Sequence, residues 1–169
     1  MYKIAICDDE ISQTSIIEAE VLKLFSLLDK AVEIDIFYSP ESLINNVTKL
    51  NNMYQIIFLD IEMGQLDGVE TAKILREYDR DFLLVFITSY TSYMLSSFEV
   101  QPFRYILKPL QFDLFSKIIK DINEELDNRN DFLFYNAGRD KFQLRMKDIV
   151  CITSQNGRKV RVSLTDNKV

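Results

Sequence analysis

The chain has 169 residues, 47% of them apolar and 12% aromatic, with two cysteines and no histidine. That is enough apolar surface for one full packed domain and part of another, and the missing imidazole removes histidine-dependent triads, histidine-ligated metals and any internal phosphohistidine donor. The net charge of -6 hides an asymmetry: acids outnumber bases 22 to 11 through Asn128, while bases outnumber acids 9 to 4 from Arg129 onward, as in an acidic body joined to a module that faces a polyanion.

Strand-like and helix-like patterns alternate through residue 128. Tyr2 to Cys7 is a β-favouring run, and residues 11–28 place Ile17, Val21, Leu24 and Leu28 at helical spacing. Val32 to Phe37 reads as a strand, followed by Ser39-Pro40, a cap with proline at the first helical position, and a helix to Leu50. Gln55 to Ile61 is nearly continuous apolar, which fits a strand buried on both faces. Gly68 to Tyr78 is helical, with Val69, Ala72 and Leu75 inward and Glu70, Lys73 and Glu77 outward. Leu83 to Thr88 is a second buried strand, Tyr93 to Glu99 a short helix, and Arg104 to Leu107 a last short strand. Residues 111–126 form the final helix, with Leu114, Ile118, Ile119 and Ile122 at helical spacing. Right-handed crossovers then predict an α/β fold, a doubly wound five-stranded parallel sheet of flavodoxin-like order 2-1-3-4-5.

A polar hinge is expected at residues 127–131, and after it the pattern changes to an all-β segment. Its strands are Phe132 to Asn136, Phe142 to Met146, Ile149 to Thr153 and Val160 to Leu164, with Asn156-Gly157 as a hairpin signal. The division is therefore 1–128 and 129–169. Cys7 and Cys151 both lie inside apolar runs and are expected to be buried thiols in a reducing compartment. No apolar run approaches the roughly 20 residues that cross a bilayer, and the first residues lack a signal-peptide pattern, so the expectation is a cytoplasmic chain without membrane contact.

The charged residues punctuate the strand ends. Asp8-Asp9 follows the first strand, Asp60 the third, Thr88 ends the fourth and Lys108-Pro109 follows the fifth. Each is commonplace alone, but together they fall in order at one carboxyl edge, where open α/β sheets bind ligands. Clustered carboxylates repel, and a hard divalent cation such as Mg²⁺ with oxygen ligands is the natural remedy, with Asp9 and Asp60 direct and Asp8 through water. Asp60, at the middle of the edge, is the best-placed nucleophile for an acyl phosphate, with Lys108 and the Thr88 hydroxyl contacting the phosphoryl oxygens. Thr88 can swing toward a newly charged Asp60, and Tyr105 is the aromatic placed to follow; Pro109 is a candidate for a cis peptide.

With these residues in place, residues 1–126 resemble the receiver domains of two-component response regulators, through Asp8-Asp9, Asp60 within FLDIEMGQLDG, Thr88-Ser89 and the run YILKP at 105–109. The resemblance implies Asp60 as phospho-acceptor, Asp9, Asp60 and the Glu62 backbone carbonyl around Mg²⁺, Thr88 and Lys108 on the phosphoryl group, and a sensor histidine kinase as donor. Met63-Gly64 departs from the Met-Pro common in that family, and Ser89 stands where Ala or Gly is usual. Residues from about 131 resemble the start of a LytTR-type DNA-binding domain of LytR/AlgR regulators, with Arg139, Lys141, Arg145, Lys147, Arg158, Lys159 and Arg161 as candidate DNA contacts.

Three functions follow from these readings. The first is a switch, phosphorylated on Asp60, that forms a homodimer and controls transcription. The second is a receiver acting by protein contact alone, as relay or phosphate sink. The third, a haloacid-dehalogenase-type phosphohydrolase, needs an aspartate two residues after its nucleophile, where Glu62 stands.

Overall fold

The computed structural model describes residues 1–50, 52–64, 66–130, 132–137, 140–155 and 159–164. It divides into two compact units, Met1–Lys120 and Asp121–Val169. In the first, β1 (Tyr2–Cys7), α1 (Ile11–Leu27), β2 (Val32–Phe37), α2 (Pro40–Leu50), β3 (Ile56–Leu59), α3 (Gly68–Tyr78) and β4 (Leu83–Thr88) alternate strictly. A single-turn α4 (Met94–Ser97), a 3-10 turn (Phe98–Val100), β5 (Arg104–Leu107) and the start of α5 (Phe112–Asn130) follow. The five strands are all parallel in the order β2-β1-β3-β4-β5, as the right-handed crossover rule predicts.

Side chains alternate across this sheet. Ala5, Cys7, Ile57, Leu59, Leu84 and Phe86 point to one face, into a core shared with Leu43 and Val47 of α2 and Val69, Ala72 and Leu75 of α3. On the other face Tyr2 meets Phe25 of α1 and Phe58 meets Phe115 of α5, with ring centroids 5.9 and 5.7 Å apart. With helices on both sides, β3 and β4 are buried at every position, the signature of a doubly covered parallel sheet. Ser39 caps α2 as expected, its Oγ accepting from the Ser42 N–H at 3.3 Å.

Several expectations are corrected. Leu114 is solvent-exposed, and the buried stripe of α5 begins at Phe115 and continues through Ile118, Ile119 and Ile122. Both stripes satisfy helical spacing, and the aromatic contact with Phe58 selects the second. The hinge expected from residue 127 is instead the last turn of α5, which runs to Asn130. Pairs one turn apart stabilise it: Asn123 Nδ2 donates to Asp127 at 3.0 Å and Arg129 Nε to Glu125 at 2.9 Å. Asp131 lies outside the described residues. The helix expected from Tyr93 is reduced to α4 and the 3-10 turn.

The second unit carries β6 (Phe132–Ala137), β7 (Asp140–Arg145), a 3-10 turn (Met146–Asp148), β8 (Ile149–Gln155) and β9 (Lys159–Leu164). They form two separate antiparallel pairs, β6 with β7 and β8 with β9. The Asn156-Gly157 hairpin signal lies outside the described residues, although Gln155 and Lys159 on either side are paired. Cys151 is exposed, contrary to expectation, as are Val150, Ile152 and Val160. Apolar runs in a two-stranded ribbon are not covered by crossover helices. No helix among the described residues is long and apolar enough to cross a membrane.

Candidate phosphoryl and metal site

The strands deliver the predicted residues to one rim. Past the last paired residues, the Asp8 N–H donates to the Phe37 carbonyl at 3.1 Å, the Asp60 N–H to Cys7 at 2.9 Å and the Lys108 N–H to Thr88 at 2.8 Å. These bonds carry the ladder one residue beyond each strand, which fixes where the three side chains start. Asp8 and Asp60 are buried and Asp9 is exposed, and each offers a carboxylate oxygen within 4.8 Å of the others.

Lys108 bridges the two buried acids. Its Nζ lies 2.8 Å from Asp8 Oδ2 and 2.7 Å from Asp60 Oδ2. The remaining oxygens are also held: Asp8 Oδ1 accepts the Glu10 N–H at 2.9 Å and Asp60 Oδ1 its neighbour's, Ile61, at 2.6 Å. Burial pushes the Asp8 carboxyl above its ordinary value, against the opposing pull of Lys108 and the Glu10 N–H, and the Asp60 charge adds to the rise. For Lys108, burial acts to lower its value, but hydrogen bonds and charge from Asp60 and Asp8 together hold it above the ordinary lysine range. The pair attraction wins at Lys108, which has two anionic partners; desolvation wins at Asp8, the more deeply buried group.

Thr88 is fully buried at the end of β4, with Oγ1 accepting from the Tyr90 N–H at 3.4 Å. The Tyr105 hydroxyl donates to the Tyr90 carbonyl, and its ring lies 5.9 Å from Phe86. Tyr90 thus contacts both predicted switch residues through its backbone. Glu62 is exposed beside Met63, Gly64, Asp67, Glu70 and Tyr93 around a surface cavity. A hydrogen bond to Glu62, with its charge, raises the Tyr90 phenol; burial and then the same charge raise that of Tyr93. The Lys108-Pro109 bond is cis.

A further residue matters here. A Cβ on Gly68 would lie 2.1 Å from the Asp60 carbonyl oxygen and 2.8 Å from the Ile61 Cα. The Gly68 N–H donates to the Ile61 carbonyl at 2.7 Å. Only a residue without a side chain lets α3 begin so close to the Asp60 backbone. The preceding Asp67 caps α3, its Oδ1 accepting from the Glu70 N–H at 2.8 Å. The sequence pattern starts the helix at Gly68 but names neither the Asp67 cap nor the backbone that Gly68 approaches.

Of the basic residues in the second unit, Lys141 and Arg145 lie on β7, Lys147 in the 3-10 turn, and Lys159 and Arg161 on β9, where Arg161 is exposed. Arg139 and Arg158 lie outside the described residues.

A doubly wound sheet whose rim joins two buried aspartates through a lysine is the arrangement of a receiver. The response regulator receiver domain family matches residues 4–120, and the chain belongs to that family. It is a receiver of a two-component system related to LytT: the sensory transduction protein LytT of Oceanobacillus iheyensis is 31% identical over 150 residues, 81% of this chain and 60% of that protein. LytT of Bacillus anthracis is 30% identical over 126 residues, 74% of this chain and 48% of the relative. The chain thus spans about half the length of these relatives. Among solved structures, the response regulatory domain of mrkE from Klebsiella pneumoniae is 26% identical with a TM-score of 0.62, covering 75% of this chain and 98% of that one. The family is a phospho-accepting switch rather than a turnover enzyme.

Proposed function

We propose that this receiver accepts a phosphoryl group on Asp60 from the phosphohistidine of a sensor histidine kinase. An Asp60 carboxylate oxygen forms the new bond to phosphorus as the P–N bond to the donor imidazole breaks, and the imidazole leaves with a proton. The observation that carries this reading is the position of Asp60, at mid-rim and 2.7 Å from the Lys108 ammonium. When the phosphoryl group arrives, Lys108 pairs with its oxygens and the Thr88 hydroxyl turns from the Tyr90 N–H toward them. Tyr105, tied to the Tyr90 carbonyl, follows the same loop.

The donor set suits Mg²⁺. Three hard carboxylate oxygens lie within 4.8 Å of one another, and Mg²⁺ favours few carboxylates with waters and phosphate oxygens completing its shell. Asp8, Asp9, Asp60 and the Glu62 backbone carbonyl would hold it. Bound there, the ion neutralises charge on the phosphoryl oxygens.

Residues 1–128 would be the receiver and 129–169 part of a LytTR-type DNA-binding domain, through which a phosphorylation-promoted homodimer controls transcription. Two observations support this output: the LytT match, at 81% of the chain, reaches past residue 120, and the segment from Arg129 is basic. Arg139, Lys141, Arg145, Lys147, Arg158, Lys159 and Arg161 are its proposed phosphate-facing residues. The cytoplasm, where kinase and DNA both reside, is the proposed location.

The test is incubation with acetyl phosphate and Mg²⁺ followed by intact-mass measurement. Wild type gains one phosphate that hydroxylamine removes, and Asp60→Asn gains none. A variant that still acquires it moves the acceptor elsewhere and overturns the reading.

A further inference from the structure

Opposite the phosphoryl rim, at the amino edge of the same sheet, one side chain ties three segments together. Arg76, in the last turn of α3, donates from Nε to the Val100 carbonyl at 3.0 Å and from one terminal nitrogen to the carbonyls of Arg80 and Phe82 at 3.0 and 2.9 Å. Its other terminal nitrogen reaches the Gln101 carbonyl at 3.4 Å. The guanidinium carbon lies 3.8 Å from the centre of the Phe82 ring. Only arginine offers five donors in a planar fork that can bond several carbonyls while stacking on an aromatic face. Arg80 and Phe82 lead into β4, and Val100 and Gln101 lead into β5. One charged group therefore fixes the entries of the two strands whose exits present Thr88 and Lys108.

The chain between those strands carries little regular structure. It has a single turn of α-helix and a 3-10 turn to bring it back across the sheet, and Leu95 and Phe98 project into solvent. At its end Val100 is buried, and Gln101 takes a left-handed conformation at φ 51° just before Pro102, one that a non-glycine residue seldom adopts without being held. Lys73, a turn earlier on α3, adds an exposed 2.7 Å pair with Glu99.

Resting on the reading of Asp60 as phospho-acceptor, we infer that Arg76 is a positioning residue that sets the far limit of the conformational switch: phosphorylation rearranges residues 89–98, and the clamp stops the change before Val100. The carbonyl contacts hold the β5 entry in register, so Tyr105 and Lys108 move against a fixed base.

Amide hydrogen exchange on the whole chain, with and without acetyl phosphate and Mg²⁺, tests this, with intact mass recording phosphate uptake in each sample. Wild type should change its exchange within residues 89–98 and remain unchanged across 100–104 and 82–84. In Arg76→Ala the phosphorylation-dependent change should spread into residues 100–104, by about tenfold in rate; Lys73→Ala should keep the wild-type boundary. Loss of stability alone would raise exchange in both states and leave the difference between them confined to 89–98. A wild-type change that runs through Val100, an Arg76→Ala boundary identical to wild type, or spreading in Lys73→Ala overturns the inference. The first of these needs no variant to fold. Normal phosphate uptake with the wrong boundary rejects only the clamp, whereas absent uptake in wild type rejects the phospho-acceptor reading and the clamp with it.

Discussion

In the parallel sheet every residue of β3 and β4 is buried, whereas in the hairpins Val150, Cys151, Ile152 and Val160 stand in solvent. Both regions are rich in β-branched and apolar residues. The difference lies in connectivity: each parallel crossover brings a helix that lands on a face of the sheet, while a hairpin pairs two strands and supplies no covering layer. An apolar run therefore reports strand formation in both places but burial in only one.

The thiols give the widest contrast. Cys7 is buried with Sγ 3.7 Å from Met63 Sδ, and burial, then the charges of Asp8 and Asp60, push its thiol far above the ordinary range. Alkylation near pH 8 should label Cys151 at least about 100-fold faster than Cys7. Equal rates in the native protein would erase the distinction between the regions.

Next in size are changes at the charged rim. Lys108→Ala leaves two buried carboxylates without their cation and should cost about 3–5 kcal/mol, read by denaturant unfolding. Added Mg²⁺ should raise the melting temperature of this variant more than that of wild type, because the ion replaces a lost positive charge. The pH dependence has a definite sign. Burial raises the folded-state value of Asp8, so the folded chain binds that proton more tightly than the unfolded chain, and the stability from this group falls as pH rises through the folded value. The Lys108 contribution is present at neutral pH and is lost only as pH climbs through a value above the ordinary lysine range. Without Lys108 the acid-side trend should steepen.

Gly68→Ala follows, at about 1–3 kcal/mol, since the added methyl meets backbone rather than a flexible side chain. Gly64→Ala, at φ 73° but with open space around it, should cost about 1 kcal/mol from conformation alone. A smaller loss at Gly68 than at Gly64 would mean that α3 does not approach Asp60 as closely in solution.

These residues also show where sequence reading succeeds. The strand order follows from alternation and handedness, and Asp8, Asp60, Thr88 and Lys108 were legible because each directly follows or ends an apolar run. What escaped depends on distances between remote segments. Leu114 and Phe115 both fit the helical period, and it is Phe115 that is buried, against Phe58 of β3. Asp127 to Asn130 has the composition of a loop, yet pairs one turn apart keep it helical. Gly68 and Arg76 owe their importance to backbone atoms elsewhere, at Asp60 for one and at Arg80, Phe82, Val100 and Gln101 for the other. No local pattern encodes those partners.

The smallest expected effect bears most directly on the hairpins. Ile152 is half-exposed on β8, paired with Val162 of β9. Replacing it with threonine keeps the branched side chain that suits a strand and removes apolar surface that water already reaches. The change in unfolding free energy should therefore stay within about 0.5 kcal/mol, as for surface positions generally. Phe115→Ala in the sheet core, at about 3–5 kcal/mol, sets the scale against which this is read. A loss above about 1.5 kcal/mol for Ile152→Thr is the range of a covered residue, and it would mean that this face is packed in solution. The hairpins would then follow the same burial rule as the parallel sheet.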